Sequence, residues 1–270
     1  MGDTSELARL LGARFIQRRD VKTRQWGHGE HAKIPVGGYS PVRARPVGQW
    51  SETNKGEHIP WKRSDIIDHL EGHKTYGHYL VDPEGMTRVV AFDVDFDKEF
   101  PFEGQILKPR EVFGTDHPGA IAMNEAVRCL ADALAYRLKW KYPRLTVCTS
   151  FSGSKGIHVY GLFAEPTFAS TARGTGISVI ASMVSLEPSR LGYKPIRESL
   201  PLEVEVFPKQ EKVGRGGYGN LMRLPLGIHK KTEGPSYFYD PTSDPTTIEP
   251  MDPTLAITEG LTLTPKQEYA

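Results

Sequence analysis

Apolar residues recur at helical spacing near the start of the chain. Leu7, Leu10, Leu11, Phe15 and Ile16 line one side of Ser5–Arg19, with arginines between them. A second stripe, Ala126, Val127, Leu130, Leu134 and Leu138, predicts the clearest helix over Asn124–Trp140. Shorter helices are expected from Ser64, with Asp65 in the first turn and Gly72 past the last, and over Ile177–Leu186. The pattern becomes strand-like in Tyr79–Asp82 and Arg88–Phe96, around the turn Asp82-Pro83-Glu84-Gly85. It does so again in Leu145–Ser150 and Ile157–Phe163 around a Gly/Ser turn, in Leu202–Phe207, and briefly in Leu221–Leu224. Residues 27–60 and 97–119 lack a period and read as loops, and Gly214–Gly219 reads as a glycine-rich connector. Beyond Asp240 the pattern loosens and prolines accumulate, so residues 241–270 are expected to be a tail or linker behind a domain spanning 1–240.

Composition narrows the classes. The chain has 270 residues, 38% hydrophobic and 25% charged, enough for a sizeable core. With 34 basic and 33 acidic residues there is no global basic field, although a near-neutral total still permits a local basic wall facing an acidic site. The two cysteines, Cys129 and Cys148, make neither a disulfide framework nor a zinc pattern, so no zinc is expected and a reducing, cytoplasmic setting fits. Met1–Leu11 lacks the basic-then-apolar order of a signal peptide, and no apolar run approaches the ~20 residues of a membrane span, so no membrane role is expected.

The sharpest chemistry lies in Ala91-Phe92-Asp93-Val94-Asp95-Phe96. Strand side chains alternate, so Asp93 and Asp95 share one face while Phe92, Val94 and Phe96 point to the other. Two neighbouring carboxylates raise each other's pKa unless a cation sits between them, and hard oxygen donors at that spacing suit Mg²⁺ or Mn²⁺. Asp-x-Asp alone also decorates solvated strand faces. Leu202-Glu203-Val204-Glu205-Val206-Phe207 repeats the pattern with glutamates, which are poor strand formers and call for a reason. Two pairs in one chain favour a shared metal site. Two cations held by three carboxylates are the usual equipment for in-line nucleotidyl transfer.

Two elements suit phosphate. In Ser150-Phe151-Ser152-Gly153-Ser154-Lys155-Gly156-Ile157-His158, glycines let backbone amides approach an anion, while Ser152, Ser154, Lys155 and His158 add donors. The spacing is not that of a Walker loop. Arg223-Leu224-Pro225-Leu226-Gly227-Ile228-His229-Lys230-Lys231-Thr232 gathers four basic or imidazole side chains and a threonine. A surface charge run is the plainer account of it in isolation. Arg14, Arg18, Arg19, Lys22 and Arg24, with Trp26, form the densest basic patch, either a solvated helix end or a path for a template backbone with a base-stacking ring.

The order of these elements resembles the catalytic core of the archaeo-eukaryotic primase superfamily. Val204-Glu205-Val206-Phe207-Pro208-Lys209-Gln210, Gly219-Asn220-Leu221-Met222-Arg223-Leu224-Pro225-Leu226-Gly227 and His229-Lys230-Lys231-Thr232 are similar to its phage, mobile-element and conflict-system domains. Arg19-Asp20-Val21 and Gly38-Tyr39-Ser40-Pro41 extend the likeness upstream. The resemblance implies an α+β fold in two parts, an N-terminal α/β unit beside one built like an RNA-recognition motif, with the active site in the cleft between them. It implies Asp93, Asp95 and Glu205 as ligands of two Mg²⁺ or Mn²⁺ ions, with Glu203 competing for the third place, where many relatives carry aspartate. Ser152, Lys155, His158, Arg223, His229 and Lys230 would hold the nucleotide, and Arg18, Arg19, Lys22 and Trp26 would meet the template. The activity so implied is a template-dependent DNA primase-polymerase, a nucleotidyltransferase using nucleoside triphosphates on single-stranded DNA. A fused or associated helicase or nuclease would be its partner in bacterial, phage or mobile-element replication. A primer-dependent gap-filling or end-joining polymerase, a non-catalytic single-strand-binding module and a metal-dependent nuclease are the competing readings.

Overall fold

A computed structural model describes residues 3–30, 33–48, 55–96, 99–108, 117–184, 202–214, 217–243 and 248–263. The expected helix end at 185–186, part of the 97–119 loop and residues 215–216 of the glycine-rich connector lie outside the described residues.

Asp3 opens helix α1 (Thr4–Phe15), its carboxylate accepting from the Ser5 amide at 2.9 Å, a normal N-cap. The helix stops before the expected Arg19 because Ile16 is already extended. Helix α2 (Arg63–Leu70) packs on it at Gly12, where a Cβ would lie 2.8 Å from Ile66 Cδ1. Strands β1 (Thr23–Gln25), β2 (Tyr39–Pro41), β3 (Thr75–Tyr79) and β10 (Leu221–Arg223) form an antiparallel sheet in the order β10-β3-β1-β2.

The second sheet joins β4 (Met86–Phe96), β7 (Thr146–Phe151), β8 (Ile157–Phe168), β9 (Leu202–Phe207) and β11 (Tyr237–Tyr239) in the order β11-β7-β8-β4-β9, again antiparallel. Strands β5 (Phe100–Phe102) and β6 (Gln105–Leu107) make a separate hairpin. One face of the second sheet buries Val90, Phe92, Val94 and Phe96 against helices α3 (Pro118–Lys141) and α4 (Ala169–Val184). The other buries Val89, Ala91, Tyr160 and Leu162 with Leu11 and Phe15 of α1. Covered on both faces, β4 reads as a continuous apolar run from Val89 to Phe92, as such strands do. The fold is thus mixed α/β with antiparallel sheets. No helix among the described residues is long and apolar enough to cross a membrane.

Three expectations need correction. The strand expected at Tyr79–Asp82 lies earlier, as β3 (Thr75–Tyr79) of the first sheet, while β4 belongs to the second, and the buried Leu80 and Val81 carry the chain between them. The turn itself forms, with Asp82 Oδ1 accepting from the Met86 amide at 2.7 Å. Helix α3 begins at Pro118 rather than Asn124, because His117 Nδ1 accepts from the Gly119 amide at 3.0 Å and proline suits the first helical position. Helix α4 begins at Ala169 rather than Ile177 and contains Gly176, where a Cβ would lie 2.5 Å from Val206 Cγ1. There, close helix-to-sheet packing outweighs glycine's low helix propensity.

The segment expected to be a tail carries helix α5 (Pro253–Thr258), capped by Asp252 at 3.0 Å from the Leu255 amide. Ala256 and Ile257 are buried, and the Leu261 amide donates to the Val147 carbonyl at 2.7 Å.

Candidate active site

Pairing in the second sheet lines up Ser150 of β7, His158 of β8, Asp93 of β4 and Glu205 of β9 in one rung. Two residues along β4, Asp95 stands opposite Glu203. Period-two alternation puts these side chains on the face that carries Ala91 and Tyr160 deeper in the sheet. Apolar where it meets α1, the face turns acidic where it opens into a cleft of about 550 Å³. Asp93, Asp95, Ser152, Lys155 and His158 line one side of this cleft; Gln25, Tyr39, Arg223, His229, Lys231 and Thr232 line the other.

Asp93 is pushed up to about 6, first by burial and then by the charge of Glu205 across the strands. Asp95 is also pushed up to about 6 by burial, with Asp93 adding and Lys155 opposing. Lys155 Nζ lies 3.1 Å from Asp95 Oδ2 and also donates to the Phe96 carbonyl. Lys209 pairs closely with Glu205. His158 Nε2 is 3.5 Å from Asp93 Oδ1, while Nδ1 meets the Tyr160 hydroxyl at 2.9 Å. Burial and Arg223 push His158 down to about 3, so near neutral pH the imidazole is uncharged and its contact with Asp93 is not an ion pair.

The phosphate-type turn is braced. Ser152 Oγ accepts from the amides of Ser154 (3.3 Å) and Gly156 (3.2 Å). Gly153 has φ +74°, and a Cβ there would lie 2.6 Å from the Gly234 carbonyl, so glycine is required both by backbone and by space. Arg223 is buried and donates to the Ser152 carbonyl, whereas its Nε is buried without a hydrogen-bond partner. An orphaned buried donor calls for an explanation, and an anion in the cleft would supply one. His229 is pushed down to about 4 by burial and then by Arg223.

As the side chains stand, no group of three His, Cys, Asp or Glu among the described residues encloses a metal position. The donor chemistry nevertheless fits a hard divalent cation. Asp93, Asp95 and Glu205 offer only carboxylate oxygens, two of them with raised proton affinity that a cation would relieve. Of the competing glutamates, Glu205 is half-buried and faces Asp93, while Glu203 is exposed.

A family model described as the archaeo-eukaryotic primase domain of TOTE conflict systems matches residues 6–252. The chain belongs to this primase family. Comparison with curated proteins gives no match. Among solved structures, the polymerase domain of Mycobacterium tuberculosis Ligase D, in complex with DNA, is similar at 14% identity and a TM-score of 0.45, over 94% of this chain and 85% of that one.

Not every residue expected at this primase-family site reaches the cleft. Lys230 is held away from it: its amide donates to Gln25 Oε1 at 3.1 Å and its ammonium to the Gly72 carbonyl at 3.4 Å, so Lys231 lines the wall instead. The expected template patch is not assembled on one surface. Arg18 is buried, 3.0 Å from Asp20, and donates to the Gly217 carbonyl at 2.6 Å. Arg19 donates to the Gly12 carbonyl at 3.1 Å, and buried Lys22 pairs with Asp65 at 2.7 Å. Trp26 Nε1 donates to Ser40 Oγ at 2.8 Å, with the Arg24 guanidinium 4.5 Å from its ring. Arg18 and Lys22 thus serve internal partners, whereas Arg19 stays exposed. Gln25 carries no signal in the sequence, while Tyr39, Lys231 and Thr232 fall within motifs read there without being named as nucleotide contacts. Gln25 and Tyr39 lie in a sheet that local patterning did not reveal, and the lysine run alone does not say which lysine turns inward.

Proposed function

We propose that this domain is a template-dependent DNA primase-polymerase that makes and extends primers on single-stranded DNA from nucleoside triphosphates by two-metal nucleotidyl transfer. The observation that carries the reading is a single cleft with carboxylates on one wall and a buried, incompletely bonded arginine with His229 and Lys231 on the other. Asp93, Asp95 and Glu205 would hold the Mg²⁺ or Mn²⁺ ions. Held there, the ions would supply a lowered pKa for the attacking 3′-hydroxyl and neutralise charge on the triphosphate and the leaving pyrophosphate.

The chain's own residues then bind and orient. Arg223, on the cleft wall, would offer its guanidinium charge to a phosphate oxygen. Lys231 adds a point charge on the same wall. With Nδ1 accepting from the Thr232 amide at 3.2 Å, a neutral His229 carries its proton on Nε2 and donates from there. Lys155, 3.1 Å from Asp95, would be free to meet a phosphate if a cation took that carboxylate. The first sheet with α1 and α2, and the second with α3 and α4, would be the two parts of the core, the latter the unit built like an RNA-recognition motif. Single-stranded DNA is the proposed template.

The test is incubation with unprimed single-stranded DNA, Mg²⁺ or Mn²⁺, and labelled ribo- or deoxynucleotides, beside Asp93→Ala/Asp95→Ala. Short products that vanish in the double variant support primer synthesis. Extension only of added primers moves the reading to gap filling. Inactivity in both assays leaves a binding module.

A further inference from the structure

The basic loop after β10 touches both sides of the cleft. On the first-sheet side, the Gln25 carboxamide accepts from the Lys230 amide at 3.1 Å and donates to the Gly37 carbonyl, also at 3.1 Å. Gln25 is buried, so this fork is shielded from water. At Gly37, φ is +82° and a Cβ would lie 3.3 Å from Lys231 Cβ, which seats the two loops against each other. On the second-sheet side, the Thr232 hydroxyl donates to the Gly153 carbonyl at 2.6 Å, across to the turn that carries Ser152 and Lys155. The same oxygen lies 2.9 Å from His229 Nδ1.

We infer that Thr232 and Gln25 are positioning residues: they anchor the two ends of a strap that holds His229 and Lys231 at a fixed distance from the Ser152–Gly156 turn, and so set the grip on a nucleoside triphosphate. The inference rests on the proposed function and adds to it how the phosphate-binding wall is held. Gln25 acts through Lys230's backbone, and Thr232 through its amide on His229 Nδ1 and its hydroxyl on the Gly153 carbonyl. Neither donates a group to the chemistry. Pre-organised donors bind better than mobile ones, because the ordering cost is met on folding rather than on binding.

The test uses the full chain with Mg²⁺ and a fluorescent dATP analogue, without template, followed by primer extension and thermal melting. Thr232→Val keeps the shape and removes the hydroxyl, and Gln25→Met keeps the length and removes the amide. Each is expected to weaken nucleotide binding about 5-fold and to raise KM by the same factor with kcat within about 2-fold, as loss of one net hydrogen bond predicts. Thr232→Ser should restore wild-type binding. The inference is overturned if both variants bind as wild type does, if the loss falls on kcat alone, or if Thr232→Ser is as weak as Thr232→Val. Should Thr232→Val not fold, Gln25→Met decides. Failure of the wild-type chain itself to bind nucleotide would instead remove the functional reading, and this inference with it.

Discussion

Two carboxyl groups in this molecule, half-buried Asp93 on β4 and buried Asp132 on α3, are both pushed up to about 6, chiefly by loss of water around them. Their surroundings differ. Asp132 accepts from the Tyr239 hydroxyl at 2.8 Å and from Arg128 Nε at 3.2 Å. Arg128 is itself fully buried, lies 5.2 Å from the Tyr239 ring, and donates to Ser243 Oγ at 3.0 Å. That network ties α3 to β11 and to the chain beyond it. Asp93 accepts no hydrogen bond among the described residues; a neutral His158 at 3.5 Å and like-charged Glu205 are its neighbours, and it opens into the cleft. A raised pKa therefore does not mark function by itself. What sets Asp93 apart is an unsatisfied carboxyl that opens into a cleft lined also by Arg223, whose Nε has no hydrogen-bond partner, and that is the ground on which it is proposed as a ligand.

Substitution should separate the two sites most sharply. Asp93→Ala is expected to lower nucleotide incorporation on the order of 100-fold or more while the melting temperature stays near wild type. Asp132→Ala should do the reverse, costing roughly 3–5 kcal/mol of stability by stranding Arg128 in the interior, with activity per folded molecule preserved. Denaturant titration beside primer extension checks both, and full activity in Asp93→Ala would sink the metal assignment.

The glutamates give the next largest effect. Glu205→Gln should lower incorporation roughly 10–100-fold and weaken Mn²⁺ binding measured by electron paramagnetic resonance, whereas Glu203→Gln should leave both within about 2-fold. The opposite ranking would move the third ligand to Glu203.

pH comes third. Asp93, Asp95 and Asp132 have folded pKa values above those of the unfolded chain. Their contribution to stability is fully present below the unfolded value near 4 and is lost as pH rises through about 6. Melting temperatures between pH 4 and 7 should fall less steeply in Asp93→Asn/Asp95→Asn than in wild type. Protons and cations compete for the same oxygens, so stabilisation by added Mn²⁺ should be larger at pH 7.5 than at pH 5.5. Equal metal stabilisation at both would show that these carboxyls are not the ligands.

The smallest effect concerns the paired lysines. Lys231→Ala is expected to raise KM for the nucleotide about 5-fold, and Lys230→Ala to leave it nearly unchanged, since only Lys231 faces the cleft. Steady-state extension with varied nucleotide distinguishes them.

Strand alternation alone placed Asp93 with Asp95 and Glu203 with Glu205 on common faces, because side-chain direction follows from a few local dihedral angles. Turn chemistry marked Ser152–Gly156, and the apolar stripe at helical spacing marked the middle of α3, though not the cap that starts it. The order of motifs was enough to indicate the primase family. The tertiary structure decided that β4 pairs with β9, setting Asp93 opposite Glu205 rather than Glu203. It also decided that β3 and β4 part into different sheets, that Lys231 rather than Lys230 lines the cleft, and that Arg18 and Lys22 are buried in ion pairs. Register, burial and partner choice depend on contacts between segments far apart in the chain, and local periodicity carries no record of which segment will arrive.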